Sequence, residues 1–242
     1  MAVSATLKLG VVASCCIGIA QHDLGLSRGF MDSILKAFTM QSNIWIAAGC
    51  LVFLTFEIAQ RGARRVPAWL HALKFMFTTS ALLTWIVFAV LLAPTMNRAY
   101  LLSPSNLCLH NLTPALALLD QINLDADSPM AAKRLWLTLI MPLLYTVAFF
   151  MAYEITGELP VPYFFLDYRA YGWFGVGPDG IGVLYWIALL GAVLIGIGAA
   201  VRRLQTAAQG RPLATSAITV LAMMGGSAAS GALGLRSVVP PD

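Results

Sequence analysis

FTMQSNIWIAAGCLVFLTFEI, residues 38–58, decides how this chain is read. A hydrocarbon core of ~30 Å takes roughly 20 apolar residues per helix, and this stretch has the length and the composition. Its polar residues are confined to its ends. Thr39 and Asn43 lie one helical turn apart on one face near the start, and Glu57 lies at the far end.

Five more stretches read the same way, over residues 5–20, 69–93, 106–124, 135–153 and 181–201. The expected fold is therefore all-α: a polytopic membrane bundle of six helices in one domain, residues 1–211. The composition agrees. Of 242 residues, 59% are hydrophobic and 11% charged, against about 25% charged in soluble domains. The mean hydropathy is +0.79. The first stretch, LKLGVVASCCIGIA, is short and carries Lys8 at its start, as a signal peptide would, but no convincing small-x-small cleavage site follows. A retained span is expected. The tail 212–242 is rich in Ala, Gly and Ser, which bury little area per residue. It reads as a cytoplasmic extension or a marginal seventh span.

Basic residues orient the bundle. With the N-terminus inside, the cytoplasmic side holds Lys8, Arg61, Arg64, Arg65, Lys74, Lys133, Arg134, Arg202, Arg203 and Arg211. The outer side holds Arg28, Lys36, Arg98 and Arg169. Ten against four is a positive-inside bias, giving N-in and C-in. The net charge of +4 is thus a topology signal and not a nucleic-acid footprint. Cys15, Cys16, Cys50 and Cys108 fall in or beside apolar segments, with neither disulfide nor metal spacing. His22, His71 and His110 stand in different regions and form no recognisable metal site, and no cofactor motif is present. The oligomeric state is left open.

This topology carries Thr39 and His110 to similar depths, each within roughly 10 Å of the outer boundary at 1.5 Å per residue. A threonine hydroxyl becomes a nucleophile when a neutral histidine takes its proton. Asn43 or Asn111 could supply an amide to a developing oxyanion. Pro114 removes a backbone donor and loosens the helix around His110. The outer loop 154–180 carries PVPYFFLDYRAYGWFG, apolar enough to fold back and roof a pocket, with Asp167 a candidate partner for His110. Each residue also has a plainer role: Thr39 bonded to its own backbone, His110 reaching water, Asn43 tying two helices together. Glu57, Lys74 and Asp120 sit near the inner ends of their spans. A structural ion pair from Lys74 to either acid, or a proton or ion pathway, accounts for them.

The segments KAFTMQSNIWIA, NLCLHNLTPALALLDQI and ITGELPVPYFFLDYRAYG together resemble the androgen-induced protein family and its six-pass bacterial relatives, over about residues 36–175. The resemblance implies hydrolysis of fatty acid esters of hydroxy fatty acids, the activity of the animal members, by a threonine nucleophile and a histidine partner. Carried over by motif, these are Thr39 and His110. The family's acidic residue at the end of the histidine helix falls on Asp120. Its T-G followed by aromatic-Leu-acid falls on Thr156, Gly157, Phe165, Leu166 and Asp167. A Tyr-Pro-Phe-Leu run is typical there, and PYFFLD replaces it here.

Three functions are open on the sequence. One is a lipid-ester hydrolase acting on a membrane lipid or lipid-like ester. Another is a transporter or channel using Glu57, Lys74 and Asp120. The last is a structural or sensory membrane protein without chemistry.

Overall fold

The computed structural model describes residues 2–24, 36–59, 66–124, 129–157, 161–178, 180–209 and Met223. Arg28, Arg61, Arg64, Arg65, Arg211 and the tail apart from Met223 lie outside the described residues, so their expected places are not addressed below. Met223 itself is buried in the main core.

Six long helical runs make up most of the described chain. They are α1 (Ala2–Leu24), α2 (Phe38–Ala59), α3 (Ala68–Val87), α4 (residues 104–124), α5 (Ile140–Thr156) and α6 (Val183–Ala208). Among the described residues, five helices are long and apolar enough to cross a membrane, counting α3 through Thr95 and α5 from Ala132. The exception is α4, which carries Asn106, His110, Asn111 and Asp120 within its length.

Burial separates centre from periphery. Two thirds of the most apolar window of α3 is buried, against 17% for the run ending in α5 and 22% for α6. α3 is the axis of the bundle. The outward residues of α5 are Leu143, Leu144, Val147, Met151 and Ile155, all exposed and all apolar, where a water-facing helix would carry charges. α6 packs along Ala132–Leu139, the 3-10 lead-in to α5, and above that level the two helices part.

Proline and glycine set the irregularities that shape the site. Pro94 lacks the N–H that would bond Val90, and α3 ends in a π turn, Phe88–Leu92, then a 3-10 turn, Ala93–Thr95. Pro114 lacks the N–H that would bond the carbonyl of His110, and α4 widens into a π segment at Leu107–Leu112. The loosening expected around His110 is there. Gly157 closes α5 in the left-handed conformation, φ +67°, donating to the Tyr153 carbonyl at 2.9 Å.

The loop after α5 folds back onto the helix ends. It forms a 3-10 turn (Phe164–Leu166), a short helix (Tyr168–Tyr171) and a hairpin of β1 (Val176–Gly177) with β2 (Gly180–Ile181). Phe165 and Leu166 are buried in the main core, and Phe165 packs on Trp186 of α6 with centroids 5.8 Å apart.

Candidate functional site

Thr39, at the start of α2, and His110, on the π segment of α4, meet. Thr39 Oγ1 lies 3.4 Å from His110 Nε2. Asn43 causes the approach: its side-chain NH2 donates to the Thr39 carbonyl at 2.7 Å and across to the Leu109 carbonyl at 3.1 Å, fastening α2 to α4 beside the histidine. Ser42 adds a bond to the same Thr39 carbonyl and shares a hydrogen bond with Thr84 of α3 at 2.9 Å.

Among the described residues no carboxylate lies on His110. Its ring stacks on Phe88, centroids 4.0 Å apart and planes at 26°. The two stacked rings each stand on a π turn, one in α3 and one in α4. A π turn holds an extra residue and re-aims the side chains on it, and such turns recur at functional sites.

The pair opens on an apolar cavity of about 100 Å³ between α3, α5 and α6. Leu83, Val87, Leu139, Leu143, Leu190 and Leu194 form much of its wall. Its polar lining is Thr39, Thr84, His110, Tyr145, Thr146 and Tyr163, with no Lys, Arg, Asp or Glu among the described residues. The roof expected from the outer loop is supplied by Tyr163, Phe165 and Leu166.

The other sequence candidates stand elsewhere. Both amide hydrogens of Asn43 are engaged with main-chain carbonyls, so in this geometry it serves as the helix tie and has none left for an oxyanion. Asn111 is half-buried but does not line the cavity. Asp167 caps the short helix that follows it, accepting from the N–H groups of Arg169 at 3.1 Å and Ala170 at 3.0 Å. No hydrogen bond joins it to His110.

At the opposite end of α2 the charges form one buried network. Lys74 pairs with Asp120, and Lys8 bridges Asp120 and Glu57, both at 3.0 Å. Ser4 donates to Glu57 at 2.8 Å and accepts from Lys8 at 2.7 Å. Lys8 therefore is not a loop charge, as its count among the cytoplasmic basic residues suggests; it is 1% exposed and belongs to the cluster. Two lysines face two carboxylates, and the charges balance.

Tyr163 is the site residue that sequence reasoning missed. Its hydroxyl lies 3.5 Å from Thr39 Oγ1 and accepts from the Thr39 N–H at 3.4 Å. The available signal was a tyrosine inside the apolar PVPYFF run, because a buried phenol needs a hydrogen-bond partner.

No protein family, curated protein or solved structure matches the chain.

Proposed function

We propose that this chain is an integral membrane hydrolase of lipid (fatty acid) esters, with Thr39 as nucleophile and His110 as its base. The observation that carries the reading is the 3.4 Å approach of Thr39 Oγ1 to His110 Nε2 on the wall of an apolar cavity. Catalytic hydrogen bonds are often long before substrate binds and tighten in the complex.

Neutral His110 takes the Thr39 hydroxyl proton on Nε2 as Oγ1 bonds to the ester carbonyl carbon. The tetrahedral intermediate collapses by breaking the bond to the alcohol oxygen, which leaves with the proton from Nε2. Water then attacks the acyl-Thr39 ester, His110 removes its proton, and the acid departs as Thr39 regains its hydrogen. The cavity lining suits an acyl chain. A charged headgroup would find no counter-charge among the described lining residues, which supports a neutral acyl group as the buried part.

The membrane setting belongs to the same proposal. It has six passes, α4 among them, with both termini cytoplasmic and the Thr39 end of the bundle at the outer face of a bacterial inner membrane. The excess of basic residues in the opposite loops supports this orientation. At 1.5 Å per residue, α4 reaches about 30 Å, enough to cross. The resemblance to the androgen-induced protein family supports a fatty acid ester as substrate.

The test is hydrolysis of a long-chain 4-nitrophenyl ester by the detergent-purified chain. Wild type is expected to turn over, and Thr39→Ala to lose at least about a thousandfold in kcat. Undiminished turnover by Thr39→Ala would end the proposal.

A further inference from the structure

We infer that Tyr163 and the backbone N–H of Thr39 form the oxyanion hole of this site, an assignment that rests on the hydrolase reading above. α2 begins at Phe38, so the N–H of Thr39 lies in the first turn and has no partner within the helix. Met40 and Gln41, the next residues, already donate to the Ala37 carbonyl. The Thr39 N–H reaches the Tyr163 oxygen instead. A phenol oxygen that accepts this bond still has its own hydrogen to give, and it sits 3.5 Å from the nucleophilic oxygen.

The neighbouring donors leave Tyr163 as the candidate. Tyr145 donates to the Lys36 carbonyl at 2.7 Å and Thr146 to the Pro142 carbonyl at 2.8 Å. The one hydroxyl hydrogen of Thr84 goes to Ser42 Oγ at 2.9 Å or to the Ser80 carbonyl at 3.3 Å, and Asn43 is committed as described. The Tyr163 ring is held in place by stacking on Phe165, centroids 5.2 Å apart and planes at 10°. The positive end of the α2 dipole adds to the field at the same point.

When Thr39 Oγ1 attacks, the carbonyl π pair moves onto oxygen. The Thr39 N–H turns from Tyr163 to that oxygen, and the Tyr163 hydroxyl donates to it without giving up its proton. On collapse the pair returns to the carbonyl, and the leaving alkoxide takes its proton from His110. Donors fixed in this way act on charge that develops only in the transition state.

Tyr163→Phe keeps the ring and removes the donor. With the full chain in detergent and a 4-nitrophenyl ester, kcat is expected to fall by about 10²–10³ while KM stays within about twofold. Inactivation by a fluorophosphonate, whose phosphoryl oxygen would occupy the same hole, should slow similarly. Wild-type kcat and wild-type inactivation in Tyr163→Phe, with Thr39→Ala inactive, would overturn the assignment and leave the hydrolase reading standing. A change confined to KM would also overturn it. Activity retained in Thr39→Ala would remove the hydrolase reading, and this assignment with it.

Discussion

Thr39 Oγ1 and His110 Nε2, 71 residues apart in sequence, lie 3.4 Å apart in the fold. The contact depends on two supports. Asn43 draws the start of α2 to the Leu109 carbonyl, and Phe88 holds the imidazole face-on.

Phe88→Leu removes the aromatic face and keeps most of the volume. The stack is worth about 0.5–1.5 kcal/mol, so a modest drop in melting temperature is expected. Because the stack fixes the plane of the imidazole, kcat should fall about tenfold from lost alignment alone. Thermal melts and ester turnover on the same preparation check both. Unchanged kcat would show that the stack does not position the base.

Gly191 on α6 lines the cavity, and a Cβ built there would meet Leu139 Cδ2 at 3.6 Å, an ordinary contact. A larger side chain fits only by filling the cavity. For Gly191→Leu, kcat/KM on a long-chain ester should fall about tenfold or more, while an acetyl ester stays within about twofold. Equal losses on both substrates would mean that the acyl chain lies elsewhere.

The buried charges make a stability prediction. Lys74→Met leaves Asp120 short of one partner and should cost about 3–5 kcal/mol. The double variant Lys74→Met/Asp120→Leu keeps Lys8 with Glu57 and should recover most of that loss. Activity per folded molecule should be unaltered in both. Melting in detergent and turnover normalised to monodisperse protein decide it.

Tyr163 predicts a pH dependence. Burial pushes its ionisation up, and the hydrogen bonds from Thr39 and Phe38 oppose this only in part. A raised phenol keeps its proton as the pH climbs. The hydroxyl therefore remains a donor past the ordinary tyrosine value of about 10, and loss of activity through this group should begin only above it. A wild-type alkaline limb centred below that value and absent in Tyr163→Phe would contradict the assignment.

The bundle was legible because helix length and apolar composition are local properties. Thr39 and His110 could be matched in depth because the rise per residue is constant, and Pro114 announced the opening of α4 by the bond it cannot make. Tyr163 could not be found that way. Its contact with Thr39 spans 124 residues and depends on how an irregular loop folds back. Lys8 misled for a different reason. A lysine beside an apolar run resembles a topology signal, and only the packing of α1 against α2 and α4 brings Glu57 and Asp120 around it. Asp167 sits in a loop whose tight turn claims its carboxylate as a cap, a role that an acid two residues before Arg169 does not advertise.

The most direct measurement is mass spectrometry of the detergent-purified chain after treatment with a fluorophosphonate, for wild type, Thr39→Ala and His110→Ala. The expected result is a single adduct on the peptide carrying Thr39 in wild type, and none in either variant. No adduct on well-folded wild type, or labelling that survives Thr39→Ala, would contradict the central claim that Thr39 is a nucleophile activated by His110.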